Sequence, residues 1–415
     1  MYFFKKNKKT RYELIPFLFS FFNDFLLYYS FYVTFFTKHG FSDGHLAILL
    51  LVMNASKMIS DIPVGIISDI YSRRNILIFG LLCRLVFCIL CLLECLQSSY
   101  ILCIVSMFIV GIGNSCLWTH TWNYFYDYLK EKKEDNKFSR FMGKFYAISN
   151  IAIACAGFLG GFVFVKINFV GIFLCSIVAI CIAIFFTSKM PNYKPKTTIK
   201  TAKNIKISSP LNFLSLLKII IKKPSIIRLL LLSTLMDSMF IIFLDINTAI
   251  MNYANINIST ISQIVGIVAF IRIFSNYFSG YTERFMSFRR IHSLLFLLMV
   301  FSFVLSCFSS TWMIIVVSTY LCIYPFFDTS IKTKIEHKID SNTRATIMSL
   351  MSLFVSILTI IFNSIIGIVA EQYNYFSAPV CIFMLVIIVL FFVRNIAQCY
   401  RLDINLRNLL SKLHK

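Results

Sequence analysis

Apolar runs of about 20 residues, separated by short polar turns, recur along almost the whole chain. A helix rises about 1.5 Å per residue, so each run is long enough to cross the ~30 Å hydrocarbon layer of a bilayer. The pattern predicts twelve such helices: 14–37, 45–70, 75–96, 100–128, 141–165 and 168–188, then 226–250, 260–281, 290–308, 311–331, 344–369 and 375–396. The longer ones must tilt or project beyond the hydrocarbon. Between the sixth and seventh, residues 189–223 are rich in lysine, contain no acidic residue, and have Pro191, Pro195, Pro210 and Pro224 in or beside them. The expected organisation is an N-terminal six-helix bundle (1–188), a basic linker (189–224), a C-terminal six-helix bundle (225–397) and a tail (398–415). Within the linker, 211–221 suits either a helix lying on the membrane surface or a disordered tether.

Composition agrees with a polytopic membrane protein. Of 415 residues, 58% are hydrophobic and 14% charged, and the mean hydropathy is +0.79. A soluble domain carries nearer a quarter charged residues. The net charge of +22 would suit a nucleic-acid partner if it formed one patch. Instead most Lys and Arg fall in segments that lie on one side of the predicted membrane, leaving Lys38 and Lys166 opposite. This asymmetry predicts cytoplasmic termini and a basic face against anionic lipid headgroups, with no nucleic-acid role. The 13 cysteines lie mostly inside apolar spans with no His or acidic ligand at metal-site spacing, so they read as packing residues, and no metal or cofactor is expected. The N-terminus has no cleavable signal pattern, and the first span is expected to be retained.

Several ionisable residues interrupt the apolar spans at one depth. Asp24, Lys57, Asp61 and Arg84 in the first half, and Asp237 and Arg272 in the second, fall roughly 12–18 Å from the basic boundary, near the bilayer centre. A charge there costs at least ~2.5 kcal/mol, so such groups face a cavity and pair with one another. Lys57 and Asp61 share a helix face at i, i+4. Asp237 is expected to balance Arg272, whereas Asp245 lies nearer the outer end as a solvated group. Two readings stay open: structural ion pairs that hold helices in register, or carboxylates whose protonation releases a basic partner, with Asp24 and Asp237 the foremost candidates. A shift of 213 to 215 positions lays Asp24 on Asp237, Lys57 on Arg272, Asp61 on Asn276 and Asp69 on Glu283, and Arg73 and Arg74 find counterparts in Arg289 and Arg290. Such repeats of six helices underlie alternating access.

The fourth span carries Gly111, Gly113, Asn114, Ser115, Trp118, His120 and Trp122. Its small residues allow close helix contact. Trp118 and Trp122 share a face, suited to a flat or cationic ligand or to the membrane interface. His120 is either a proton site or a hydrogen-bonded packing residue.

Gly65, Asp69, Arg73 and Arg74 join a membrane span to a basic turn, and there the chain resembles the major facilitator superfamily of secondary transporters, over residues 12–396. Asp61-Ile62-Pro63-Val64-Gly65 is similar to the Glu-Ile-Pro-Thr-Gly variant of one bacterial branch. Tyr126-Asp127 with Leu129-Lys130, the region of Gly143, and Arg344-Ala345-Thr346 with Ser349 resemble further marks of that branch. The resemblance implies an all-α protein of twelve transmembrane helices in two pseudo-symmetric six-helix bundles around a cavity. Helices 1, 4, 7 and 10 would line it, making Asn114, Trp118, His120, Trp122, Tyr320 and Tyr324 cavity candidates. It also implies a cytoplasmic gate in which Asp69, aided by Gly65, Arg73 and Arg74, closes against the second half, here Glu283, Arg289 and Arg290, with Asp127 in the same charge network. Two features depart from the family's proton-coupled antiporters: Ala156-Gly157-Phe158-Leu159-Gly160-Gly161 lacks the expected proline, and no arginine precedes Gly111 on helix four.

These readings predict a secondary active transporter in a bacterial inner membrane. It would be a monomer that moves a small organic solute, coupled to protons and working as an exporter of a drug or metabolite, since export of amphipathic compounds fits the aromatic-rich interior. Uptake symport or facilitation is the alternative, followed by a non-transporting sensor or assembly factor on the same scaffold. No Ser-His-Asp set, metal cluster or phosphate-binding glycine loop marks an enzyme.

Overall fold

A computed structural model describes residues 14–134, 138–192, 224–282, 288–306, 309–336, 344–372, 380–381 and 383–387. Every regular element among them is helical. The first predicted span is divided. Helix α1 (Leu14–Asp24) ends at a polar Asn23-Asp24 step, a 3-10 turn follows (Leu27–Ser30), and α2 (Tyr32–Lys38) completes the crossing. Such a break is tolerated at membrane depth only if the freed backbone groups find partners. They do so here, since the Tyr28 amide donates to Ser176 Oγ at 3.2 Å and the Phe31 amide to the Tyr28 carbonyl at 2.8 Å.

Helix α3 (Asp43–Ile70) starts at a capping box in which Ser42 Oγ accepts from the His45 amide at 3.3 Å. Helices α4 (Arg73–Leu96) and α5 (Tyr100–Glu131) follow as predicted. The fifth and sixth predicted spans run together as α6 (Phe138–Lys189), interrupted at Asn168, whose φ of 56° and ψ of −154° turn the chain back on itself. The neighbours prove the reversal. Along the first leg Phe145, Ser149 and Phe164 meet Ser20, Asp24 and Phe31; along the second, Phe173, Ser176 and Phe186 meet Phe35, Tyr28 and Phe22.

The second half comprises α7 (Pro224–Tyr253), α8 (Ile258–Thr282), α9 (Phe288–Ser306), α10 (Ser310–Glu336) and α11 (Arg344–Gln372), with Pro325 inside α10. Most of the last predicted span, the linker and the tail lie outside the described residues. Among the described residues, seven helices are long and apolar enough to cross a membrane: α4, α5, α6, α7, α8, α10 and α11.

Within the first half α5 packs on α3 and α4; within the second, α10 packs on α7, α8 and α9. Glycines set the closest approaches. A Cβ added to Gly111 would stand 2.3 Å from the Met53 carbonyl oxygen of α3, and one on Gly113 would stand 2.9 Å from the Gly80 carbonyl of α4. The halves meet along α6–α8, α3–α11 and α2–α7. Here again small residues let backbones touch: a Cβ on Gly157 would lie 2.7 Å from Gly266 Cα, and Ser262 Oγ donates to the Gly157 carbonyl at 2.5 Å. A Cβ on Gly367 would meet the Ala47 Cβ at 2.5 Å. These seams lie towards the end bearing loops 39–42, 97–99 and 254–257, here called the far end, opposite the basic end.

Because Gly157 faces backbone that cannot yield like a side chain, Gly157→Leu should destabilise the protein by about 1–3 kcal/mol. The check is a lowered thermal midpoint in detergent; an unchanged midpoint would mean that the α6–α8 seam is not closely packed.

Candidate functional site

The ends of the broken first span and the middles of α3 to α8 and α10 bring the mid-depth charges together. Asp24, at the last position of α1, accepts from Ser149 Oγ at 2.5 Å and from Asn23 Nδ2 at 2.8 Å. Arg84 on α4 does not bond Asp24 directly. Its Nη1 donates to the Asn23 carbonyl at 3.1 Å and to Asn23 Oδ1 at 3.2 Å, and its Nη2 to Asn114 Oδ1 at 3.2 Å. One amide therefore stands between acid and base. Asp24 also lies within the electrostatic reach of Arg272, from the other half.

Lys57 and Asp61 share a face of α3 but form no ion pair. The Lys57 ammonium sits 5.3 Å from the centre of the Trp118 ring, a cation–π contact. Asp61 accepts from Ser115 Oγ at 2.6 Å on α5 and from Ser352 Oγ at 3.4 Å on α11, the latter across the seam. Trp122 is used differently from Trp118: its indole donates to the Tyr146 hydroxyl and its ring meets Phe138 edge-on. His120 is buried, and its Nδ1 has no partner among the described residues.

In the second half the expected partner of Asp237 is replaced. Asp237 Oδ2 pairs with Lys332 Nζ at 3.3 Å, not with Arg272, and Oδ1 accepts from the Tyr324 hydroxyl at 2.6 Å. Lys332 also pairs with Asp328 at 2.7 Å, one turn back on α10. Arg272 instead lies 4.8 Å over the Phe240 ring, which stacks on Tyr324 at 4.2 Å. Tyr320, expected in a cavity, is buried with its hydroxyl on the Met236 carbonyl at 3.0 Å.

Two further groups escaped the sequence reading. The tenth predicted span stops at residue 331 and leaves Lys332 outside it, yet α10 runs on to Glu336 and carries it inside; its i, i+4 spacing from Asp328 is the available signal. Asp245, expected to be solvated, is 5% exposed and accepts from the Tyr32 hydroxyl of the first half.

At the basic end, Arg73 Nη1 pairs with Asp127 Oδ2 at 2.6 Å and donates to the Asn123 carbonyl at 2.6 Å. Arg74 Nη1 donates to the Met190 carbonyl at 3.1 Å, near the end of α6. Both arginines thus tie α4 to its own half. A Cβ on Gly65 would touch nothing within 4 Å. Arg290 is exposed. Glu283 lies outside the described residues, as do the side chains of Asp69 and Arg289.

Helices that pack through small-residue seams and hold ionisable groups at mid-depth are the marks of a polytopic membrane transporter. The family model of the Major Facilitator Superfamily matches residues 14–363, and the chain belongs to that family. It is an integral membrane protein and a secondary transporter. Among solved structures, it is similar to a D-xylose-proton symporter (TM-score 0.69, 12% identity, covering 91% of this chain and 96% of that one). It is likewise similar to the nucleoside transporter NupG (0.65, 14%, 93% and 98%), and to the peptide transporter POT in complex with sulfate (0.67, 16%, 93% and 94%). No curated protein sequence matches significantly.

Lys332 answers two carboxylates. Lys332→Met should therefore lower stability by about 1–3 kcal/mol, less than a fully enclosed pair because these side chains keep 16–30% exposure. Adding Asp328→Asn should restore part of the loss, and the two thermal midpoints check it.

Proposed function

We propose that this protein couples proton movement to the transport of a small polar organic solute, with its basic end in the cytoplasm. The observation that carries the reading is the interleaving of charges at the centre. Asp24 and Arg84 are separated by the Asn23 amide, and Asp24 is held by a hydroxyl. A carboxylate so placed takes or loses a proton without breaking a direct salt bridge, and the change is felt by cations of both halves, Arg84 and Arg272. Asp237, with Tyr324 and Lys332, is the corresponding group of the second half.

The amides, hydroxyls and charges gathered at the centre suit a polar metabolite better than an amphipathic drug. Export is the first reading of the direction, in keeping with the aromatic-rich interior, 16% of the chain being aromatic. Uptake is the second reading, favoured by this polar centre and by the D-xylose-proton symporter among the similar structures. At the basic end, the first-half side of the gate is braced by Arg73 and Arg74, which hold the start of α4 to α5 and α6.

The test uses proteoliposomes enclosing a pH dye, challenged with a library of polar metabolites. At least one compound should move protons through the wild type. Asp24→Asn and Asp237→Asn should lower that proton movement at least about tenfold, while solute exchange persists. The sign of solute movement relative to the proton then assigns the direction. Solute flux with no proton movement, or full coupling in both variants, would overturn the reading.

A further inference from the structure

Asp245 lies at the seam between the halves, outside the charged centre. It is on α7, about 12 Å from the far end of that helix. Its Oδ1 accepts the Tyr32 hydroxyl of α2, so the bond joins one half to the other. Its Oδ2 is buried and has no hydrogen-bond partner among the described residues. Nor is any Lys, Arg or His among them paired with it. Among the described residues, the polar groups that face it are Tyr32 and Tyr29 from the first span and, from α11, the neutral Asn363; beside it α3 presents Leu46, Ala47 and Leu50. The cation on α8, Arg272, is drawn instead to the Phe240 ring, more than a turn towards the basic end.

Asp245 borders a cavity of about 10 Å³, lined also by Leu46 and Leu50 of α3, Ala249 of α7, and Asn363 and Ile366 of α11. That is about the space one water molecule needs. Asn363 Nδ2, in the same lining, is also buried without a partner among the described residues. A second polar crossing, from Asn252 Nδ2 to Thr34 Oγ1 at 2.7 Å, closes the seam one to two turns further out. The carboxyl is thus enclosed only while the halves are together at this end, and parting them would put it in contact with far-side water.

An ionised carboxylate enclosed with no counter-ion is far more costly than a neutral acid, which needs only ordinary hydrogen bonds. The neutral acid has an O–H to place, and the cavity that Asp245 borders gives it room. We propose that Asp245 is a proton-binding site of the transporter, at which uptake of a proton from the far-side water permits the two halves to close. Closing removes water from the carboxyl and holds the proton on it; reopening returns the group to water, where it ionises. This rests on the proton-coupled reading and adds to the central acids a site at the far entrance.

The sign follows directly. Acid favours the closed far end, and raising the pH opens it, with the closed-to-open ratio changing by at most about tenfold per pH unit for one linked proton. The measurement is the distance between spin labels at Ser98 and Asn257, in exposed far-end loops of the two halves. It is made on the full chain in liposomes from about pH 5 to about pH 8, spanning the range in which a carboxyl moved between water and an enclosed site titrates. The labels are carried on bio-orthogonal handles, so the native cysteines stay. Wild type should pass from the short to the long distance as the pH rises. Asp245→Asn, which keeps the shape but not the ionisation, should stay short throughout. Asp245→Ala should be equally insensitive, and Asp245→Glu should regain the response. Tyr32→Phe, which leaves the carboxyl in place, should retain pH dependence with a smaller closed population. A wild type whose distance ignores pH, or an Asp245→Asn and an Asp245→Ala that respond as the wild type does, would overturn the proposal. Because the distance needs no solute, a wild type that responds to pH yet moves no protons with any solute would defeat the coupling reading and leave this one standing.

Discussion

The charged centre of this structure answers to one constraint: an ionisable group at hydrocarbon depth must be satisfied by protein. The chain meets it in three ways. Lys57 and Arg272 rest on the faces of Trp118 and Phe240; Asp24, Asp61 and Arg84 are held by hydroxyls and amides; Asp237, Asp328 and Lys332 form a compact ion cluster. Only the last is a salt-bridge solution. The others leave each charge held by neutral partners, which are easier to exchange when helices move than an acid–base contact is.

This distribution separates the two halves in character. In the first, Arg84 reaches Asn23 and Asn114, so one guanidinium gathers α1 and α5 around α4. In the second, the Arg272, Phe240 and Tyr324 stack leads to Asp237 and from there to Lys332, linking α8, α7 and α10. The repeat pattern aligned Lys57 with Arg272, and both do sit over rings. It did not anticipate that Asp237 would take its cation from α10.

What was legible in the chain was whatever periodicity and length carry: the spans of α3, α4 and α5, and the close contacts of Gly111 and Gly113. What was not legible depends on partners distant in sequence. Asp245 reads as a polar residue near a helix end, and only Tyr32, 213 positions away, shows why it is enclosed. Lys332 reads as one more basic loop residue because its apolar span stops short of it, although the helix continues. Local backbone breaks are equally hidden: nothing in the apolar run 14–37 announces the 3-10 turn at Leu27–Ser30, which rests on Ser176 from another helix.

The first leg of α6 carries both Gly157, in backbone contact with α8, and Ser149, the donor to Asp24. Eight positions separate them, about 12 Å along one rigid helix. If that glycine contact serves as a fulcrum, a tilt of only about 10° swings the serine by about 2 Å, enough to lengthen a hydrogen bond past usefulness. The leg is then a lever arm, and mechanical displacement between the bundles is read at Asp24 as a donor supplied or withdrawn.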